Sequence, residues 1–275
     1  STLSDANKRR PESIFEAIYR DLYATYRQIL SSDSRSRKTP KWMKRLQIID
    51  STTITLFSNL LFKGVGRHPK TGKKKGGIKV HTVIHANDGV PSDIKFTSAA
   101  TNDSFMLRPA TLNKGDIMAM DRAYIDYEKF QQLTERGVIY VTKMKKSLKY
   151  TVLGDMMYQT PDGLMEVRIQ NVEFVKQKNG GETIRHKARI ITYCDIRKHK
   201  LISLLTNDMD SDPDETIAIY SQRWEIELLF KQMKQNFPLK YFYGESANAI
   251  KIQIWVTLIA NLLLMVMQKG LKRQW

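Results

Sequence analysis

The chain has 275 residues, 41% hydrophobic and 9% aromatic, which is enough to bury a sizeable core and too apolar for a disordered tail. Lys and Arg outnumber Asp and Glu by 45 to 28, a net charge of +17 that points to a polyanionic partner. Nucleic acid fits better than a membrane surface, because no basic amphipathic anchor stands out. The single cysteine, Cys194, excludes an internal disulfide framework and a Cys-cluster zinc site and suits a reducing cytosol. The first residues are polar and charged, so no signal peptide is expected, and a start on Ser1 leads us to expect that an N-terminal portion is absent.

From Pro11 to Leu30 the residues Ile14, Phe15, Ile18, Leu22, Tyr23 and Tyr26 keep helical spacing, and Ser32 to Lys41 reads as a polar, basic linker. Leu46 to Asp50 is a short apolar run ending on an acid, and the β-branched residues that follow favour a strand. Lys63 to Lys79 is rich in Gly and Lys, and its Lys73, Lys74 and Lys75 suit phosphate contacts as readily as plain solvation. Gly77 to His85 and Val90 to Ser98 read as strands joined across Asn87-Asp88-Gly89, a hairpin signal. His81 and His85 share a face of the first strand, where sheet packing is preferred over metal ligation.

The spacing predicts a short helix over Asp103 to Leu112, then a buried strand ending on Asp121. A helix to about Arg136 and a strand from Val138 to Thr142 follow. An acid at the carboxyl end of a strand, followed by a helix and another strand, is the α/β arrangement in which such ends form a shared crevice. Between Lys149 and Thr206 short alternating runs separated by turn signals predict a β-rich insertion.

Tyr220 to Lys234 contains no Gly or Pro and is expected to form one helix. At about 100° per residue, Tyr220, Arg223, Glu227 and Lys234 then share an arc of roughly 60°, with Leu229 and Met233 pointing away. A carboxylate between two cations and a phenol is equipment for holding a divalent metal beside a phosphate. The bland alternative is an amphipathic helix with an Arg-Glu pair. Ala247 to Lys269 is expected as a core helix closing over the signature helix; its apolar run, Ile252 to Met267, is short for a bilayer crossing.

The spacing Tyr-x2-Arg-x3-Glu-x6-Lys resembles the signature around the catalytic glutamate of DDE transposases of the bacterial insertion-sequence-four group. The resemblance extends to Gly77-Ile-Lys-Val-His, Gly89-Val-Pro91, Thr97 to Asp103 and Asp121-Arg-Ala-Tyr, and so spans most of Arg45 to Lys234. It implies an RNase-H-like α/β fold with a mixed sheet flanked by helices and interrupted by a β-rich insertion. The expected domains are a helical lead-in and linker at 1–44, a catalytic domain at 45–149 and 207–275, and the insertion at 150–206. It implies catalytic, metal-binding roles for Asp50, Asp121 and Glu227 with two Mg²⁺ ions, Mn²⁺ substituting. DNA contacts fall to Tyr220, Arg223, Lys234, Arg122 and Lys73 to Lys75. The implied activity is cleavage at transposon ends and strand transfer into target DNA, by a homodimer on paired ends in the bacterial cytoplasm. The rivals are an RNase-H-like nuclease that cuts without joining and an inactive DNA-binding relative.

Overall fold

The structure is a computed structural model that describes residues 2–31, 39–55, 77–161, 163, 165–177, 181–195, 199–236 and 242–272. In chain order the helices and strands are α1 (Thr2–Arg9), α2 (Glu12–Leu30), β1 (Leu46–Thr55), β2 (Gly77–His85), β3 (Pro91–Ser98), β4 (Ile117–Met120), α3 (Tyr127–Glu135), β5 (Ile139–Lys143), β6 (Thr151–Gln159), β7 (Glu166–Gln177), β8 (Thr183–Asp195), β9 (Lys200–Thr206), α4 (Pro213–Ser221), α5 (Trp224–Asn236) and α6 (Ala247–Lys272). They form two compact units. One comprises Ser1–Thr39, Asp50–Asn102 and Glu225–Trp275, the other Pro40–Ile49 and Asp103–Trp224.

The second unit holds a mixed sheet in the order β1-β4-β5-β9-β8-β7-β6. β1, β4 and β5 run parallel, with Ile49 opposite Met120 and Met120 opposite Thr142. All four residues of β4 are buried, as a parallel strand covered on both faces requires, so its sequence reads as an unbroken apolar run. β9 then joins β5 antiparallel, and β8, β7 and β6 continue that pattern.

Helix α3 starts where the Asp126 carboxylate accepts the Glu128 and Lys129 amides at 3.1 and 3.3 Å. It stops at Gly137, whose φ of 68° frees the Val138 amide to reach back to the Leu133 carbonyl at 2.9 Å. Phe130 on α3 stacks on Tyr140 of β5 with ring centroids 3.9 Å apart. That contact anchors the helix over the strand that neighbours β4.

In the first unit α6 packs along α2. Trp255 of α6 meets Tyr19 and Phe96 at 5.6 and 5.4 Å between centroids, and the Tyr19 hydroxyl donates to the Pro91 carbonyl at 2.6 Å. Asn248 accepts the Glu12 amide and donates to the Asn7 and Arg10 carbonyls, closing the junction of α1 and α2. β2 and β3 form the expected hairpin, with Gly89 at φ 71° in its turn. By length and composition α6 could cross a membrane; Ile252, Ile254, Trp255, Leu258 and Leu262 are buried in the protein, whereas Val256, Leu263, Leu264 and Met267 are exposed, so one face of the helix packs on the core. Its main partner is α2 rather than the helix that carries Glu227.

Two local expectations need correction. Asp103 to Leu112 is two 3₁₀ turns, Asp103–Met106 and Pro109–Thr111, because Pro109 removes an amide donor and pushes Arg108 out of helical geometry. The signature stretch is two helices rather than one. The Gln222 and Arg223 amides bond three residues back, to Ile219 and Tyr220 at 3.2 and 3.1 Å, and this tightening ends α4 before α5 begins. The shared 60° arc therefore does not describe Tyr220 and Arg223.

Candidate active site

Within the first unit, Asp50 and Glu227 line one open cavity of about 490 Å³ together with Ser51, Phe230, Lys231, Lys234 and Gln235. Asp50 is half-buried on β1, and its Oδ1 accepts the Ser51 amide at 2.8 Å. Glu227 is half-buried in the first turn of α5, where the helix dipole favours a negative charge. Phe230, Lys231 and Lys234 follow at i+3, i+4 and i+7 and so share its face. Lys234 is exposed as a residue, but its ammonium loses part of its hydration, which lowers its pKa from the usual lysine value.

In the second unit Asp121 directly follows β4 and is half-buried. Its Oδ1 accepts the Ala123 amide at 2.9 Å, capping a 3₁₀ turn, Arg122–Tyr124, that leaves Arg122 exposed. Tyr220 closes α4, and the Arg223 guanidinium lies 5.6 Å from the centre of the Tyr220 ring, a cation–π contact across the turn. Trp224, next in the chain, is 55% exposed.

The structure thus brings together Asp50, Glu227 and Lys234, and separately pairs Tyr220 with Arg223. Among the described residues no three His, Cys, Asp or Glu side chains stand close enough to hold a metal ion. Lys73, Lys74 and Lys75 lie outside the described residues. His81 is fully buried with Nε2 2.7 Å from the Thr97 hydroxyl, in keeping with its packing reading. Lys231 was missed by the spacing argument, although its position four residues after Glu227 was a sufficient signal.

Asp121 thus follows the buried parallel strand β4 of one unit, and in the other unit Asp50 and Glu227 share a cavity with Lys234. The chain belongs to the transposase DDE domain family, which matches residues 41–263. It is 28% identical over 266 residues to a protein of Sinorhizobium fredii named as transposase y4zB, a match covering 96% of this chain and 70% of that protein. It is 24% identical over 274 residues to a protein of Geobacillus stearothermophilus named as the transposase for insertion sequence element IS5377, covering 100% and 68%. A Synechocystis protein named as the transposase for element IS4SA is 25% identical over 269 residues, covering 96% and 70%. The chain is accordingly a DNA transposase of the insertion-sequence-four group with an RNase-H-like fold. DDE transposases generally use divalent metal ions.

Proposed function

We propose that Asp50, Asp121 and Glu227 are the three metal-binding carboxylates of this transposase, and that it hydrolyses a phosphodiester at each transposon end and then joins the freed 3′-end to target DNA. The observation that carries this reading is the cavity that Asp50 and Glu227 line beside Lys234. Its carboxylate oxygens are hard donors of the kind Mg²⁺ prefers, with Mn²⁺ as a substitute. Held by these carboxylates, two such ions would supply Lewis-acid stabilisation of the departing 3′-oxygen and would favour deprotonation of the attacking water in hydrolysis and of the 3′-hydroxyl in joining.

The protein's own groups do the positioning. Arg223 clamps a phosphate through two N–H donors, preorganised by its contact with the Tyr220 ring. Lys234 adds a point charge at the cavity, Tyr220 steers the backbone, and Arg122 with Lys73 to Lys75 extends the phosphate contacts. A homodimer on paired ends, a cytoplasmic, nucleoid-associated location, and the division into a lead-in at 1–44, a catalytic domain at 45–149 and 207–275 and an insertion at 150–206 complete the proposal.

Asp121→Asn and Glu227→Gln test it directly. On a supercoiled plasmid carrying the ends of the source element, each variant should lose about a thousandfold or more of Mg²⁺-dependent cleavage while retaining DNA affinity. Parental cleavage by either variant contradicts the assignment.

A further inference from the structure

The parallel pair β4 and β5 ends in register, Met120 opposite Thr142. The next residue on one strand is Asp121, and on the other it is Lys143. Neighbouring strands lie about 4.8 Å apart, so the acid and the lysine leave the same end of the sheet side by side. Lys143 opens the segment Lys143-Met-Lys-Lys-Ser-Leu-Lys149, which carries four lysines and no acid in seven residues.

That segment is tethered. The Met144 amide donates to the Ser203 carbonyl at 2.8 Å, and the Leu148 amide to the Lys145 carbonyl at 3.3 Å. Lys146 and Lys149 are exposed, and Lys143 and Lys145 are half-buried. Among the described residues none of the four makes an ion pair, whereas Arg168, Arg185 and Lys251 each have a carboxylate partner. A backbone-anchored cluster of uncompensated ammonium groups repels itself, and a row of phosphates relieves that repulsion.

We propose that Lys143, Lys145, Lys146 and Lys149 form a site for the sugar-phosphate backbone of duplex DNA, holding the strand that passes Asp121 without reading its sequence. This deepens the transposase reading and rests on it. The lysines act as positioning groups, since point charges on flexible stems contact phosphates but carry no base discrimination.

The test is the salt dependence of DNA binding by the whole chain in EDTA, where no cleavage occurs, so that failure of the catalytic assignment leaves the measurement intact. One arm uses a short mixed-sequence duplex and the other a duplex carrying the element's end. Changing all four lysines to Gln should flatten the slope of log K against log [salt] by roughly 2 to 4 on at least one duplex. A flattening on both assigns the loop to DNA at large, and one confined to the element's end assigns it to that end. The fourfold Lys→Arg variant should keep the parental slope. Changing Lys114, Lys176, Lys187 and Lys200, all exposed, to Gln removes the same charge and should alter the slope by less than about 1. An unchanged slope in the loop variant, or equal flattening in both Gln variants, overturns the proposal.

Discussion

His186 is fully buried between α3 and β5. Its Nδ1 lies 3.2 Å from Gln131 Oε1 and its Nε2 lies 2.6 Å from the Tyr140 hydroxyl. The neutral tautomer with Nδ1–H donating to Gln131 leaves Nε2 to accept from Tyr140, so the uncharged ring satisfies both nitrogens. Burial pushes its pKa from 6.5 down to about 4. The unfolded chain therefore takes up a proton between those values while the folded chain does not, and stability declines as pH falls from about 6.5 towards about 4. The loss is roughly 3 kcal/mol, its full extent reached below pH 4. Urea unfolding across that range should show this decline in the parent and lose this component in His186→Gln. An identical pH profile for the two proteins assigns the acid sensitivity elsewhere. Nothing in the spacing of the sequence marked His186, because its environment is assembled from α3, β5 and β8, which are distant in the chain.

At the scale of elements, the parts legible in advance were those whose pattern is set by burial. α2, α3, β4, β5 and the β2–β3 hairpin emerge close to their expected bounds, and the Asp-Gly turn needs Gly89 for its positive φ. The edge strand β6 was missed because both its faces are open to solvent, with Val152, Leu153, Met156 and Met157 exposed, so no two-residue alternation marks it. The break between α4 and α5 was also invisible, since helix propensity alone runs straight through Gln222 and Arg223. Lys269 stands near the end of α6. Its ammonium donates to the carbonyls of Leu30, Asn87 and Asp88, tying α6 to the end of α2 and to the hairpin turn. Lys269→Met leaves those carbonyls without this donor and should cost about 1 to 3 kcal/mol, read as a lower urea midpoint. An unchanged midpoint means that water replaces the lysine at no cost.

For the molecule as a whole, the sequence made the chemistry easier to read than its geometry. The family was legible from the spacing of the signature, and the match to the transposase DDE domain over residues 41–263 agrees with it. The cavity lined by both Asp50 and Glu227 depends on residues 177 positions apart coming together, which spacing does not encode. The net charge of +17 likewise announced a polyanionic partner without saying which surface meets it. The central claim is that three carboxylates from separate stretches of sequence act on one phosphodiester. Anomalous diffraction from crystals grown with Mn²⁺ and an element-end duplex tests it most directly. Peaks within about 2.5 Å of carboxylate oxygens of Asp50, Asp121 and Glu227 are the expected result. Mn²⁺ bound to the DNA or to other side chains, with these three acids bare, contradicts it.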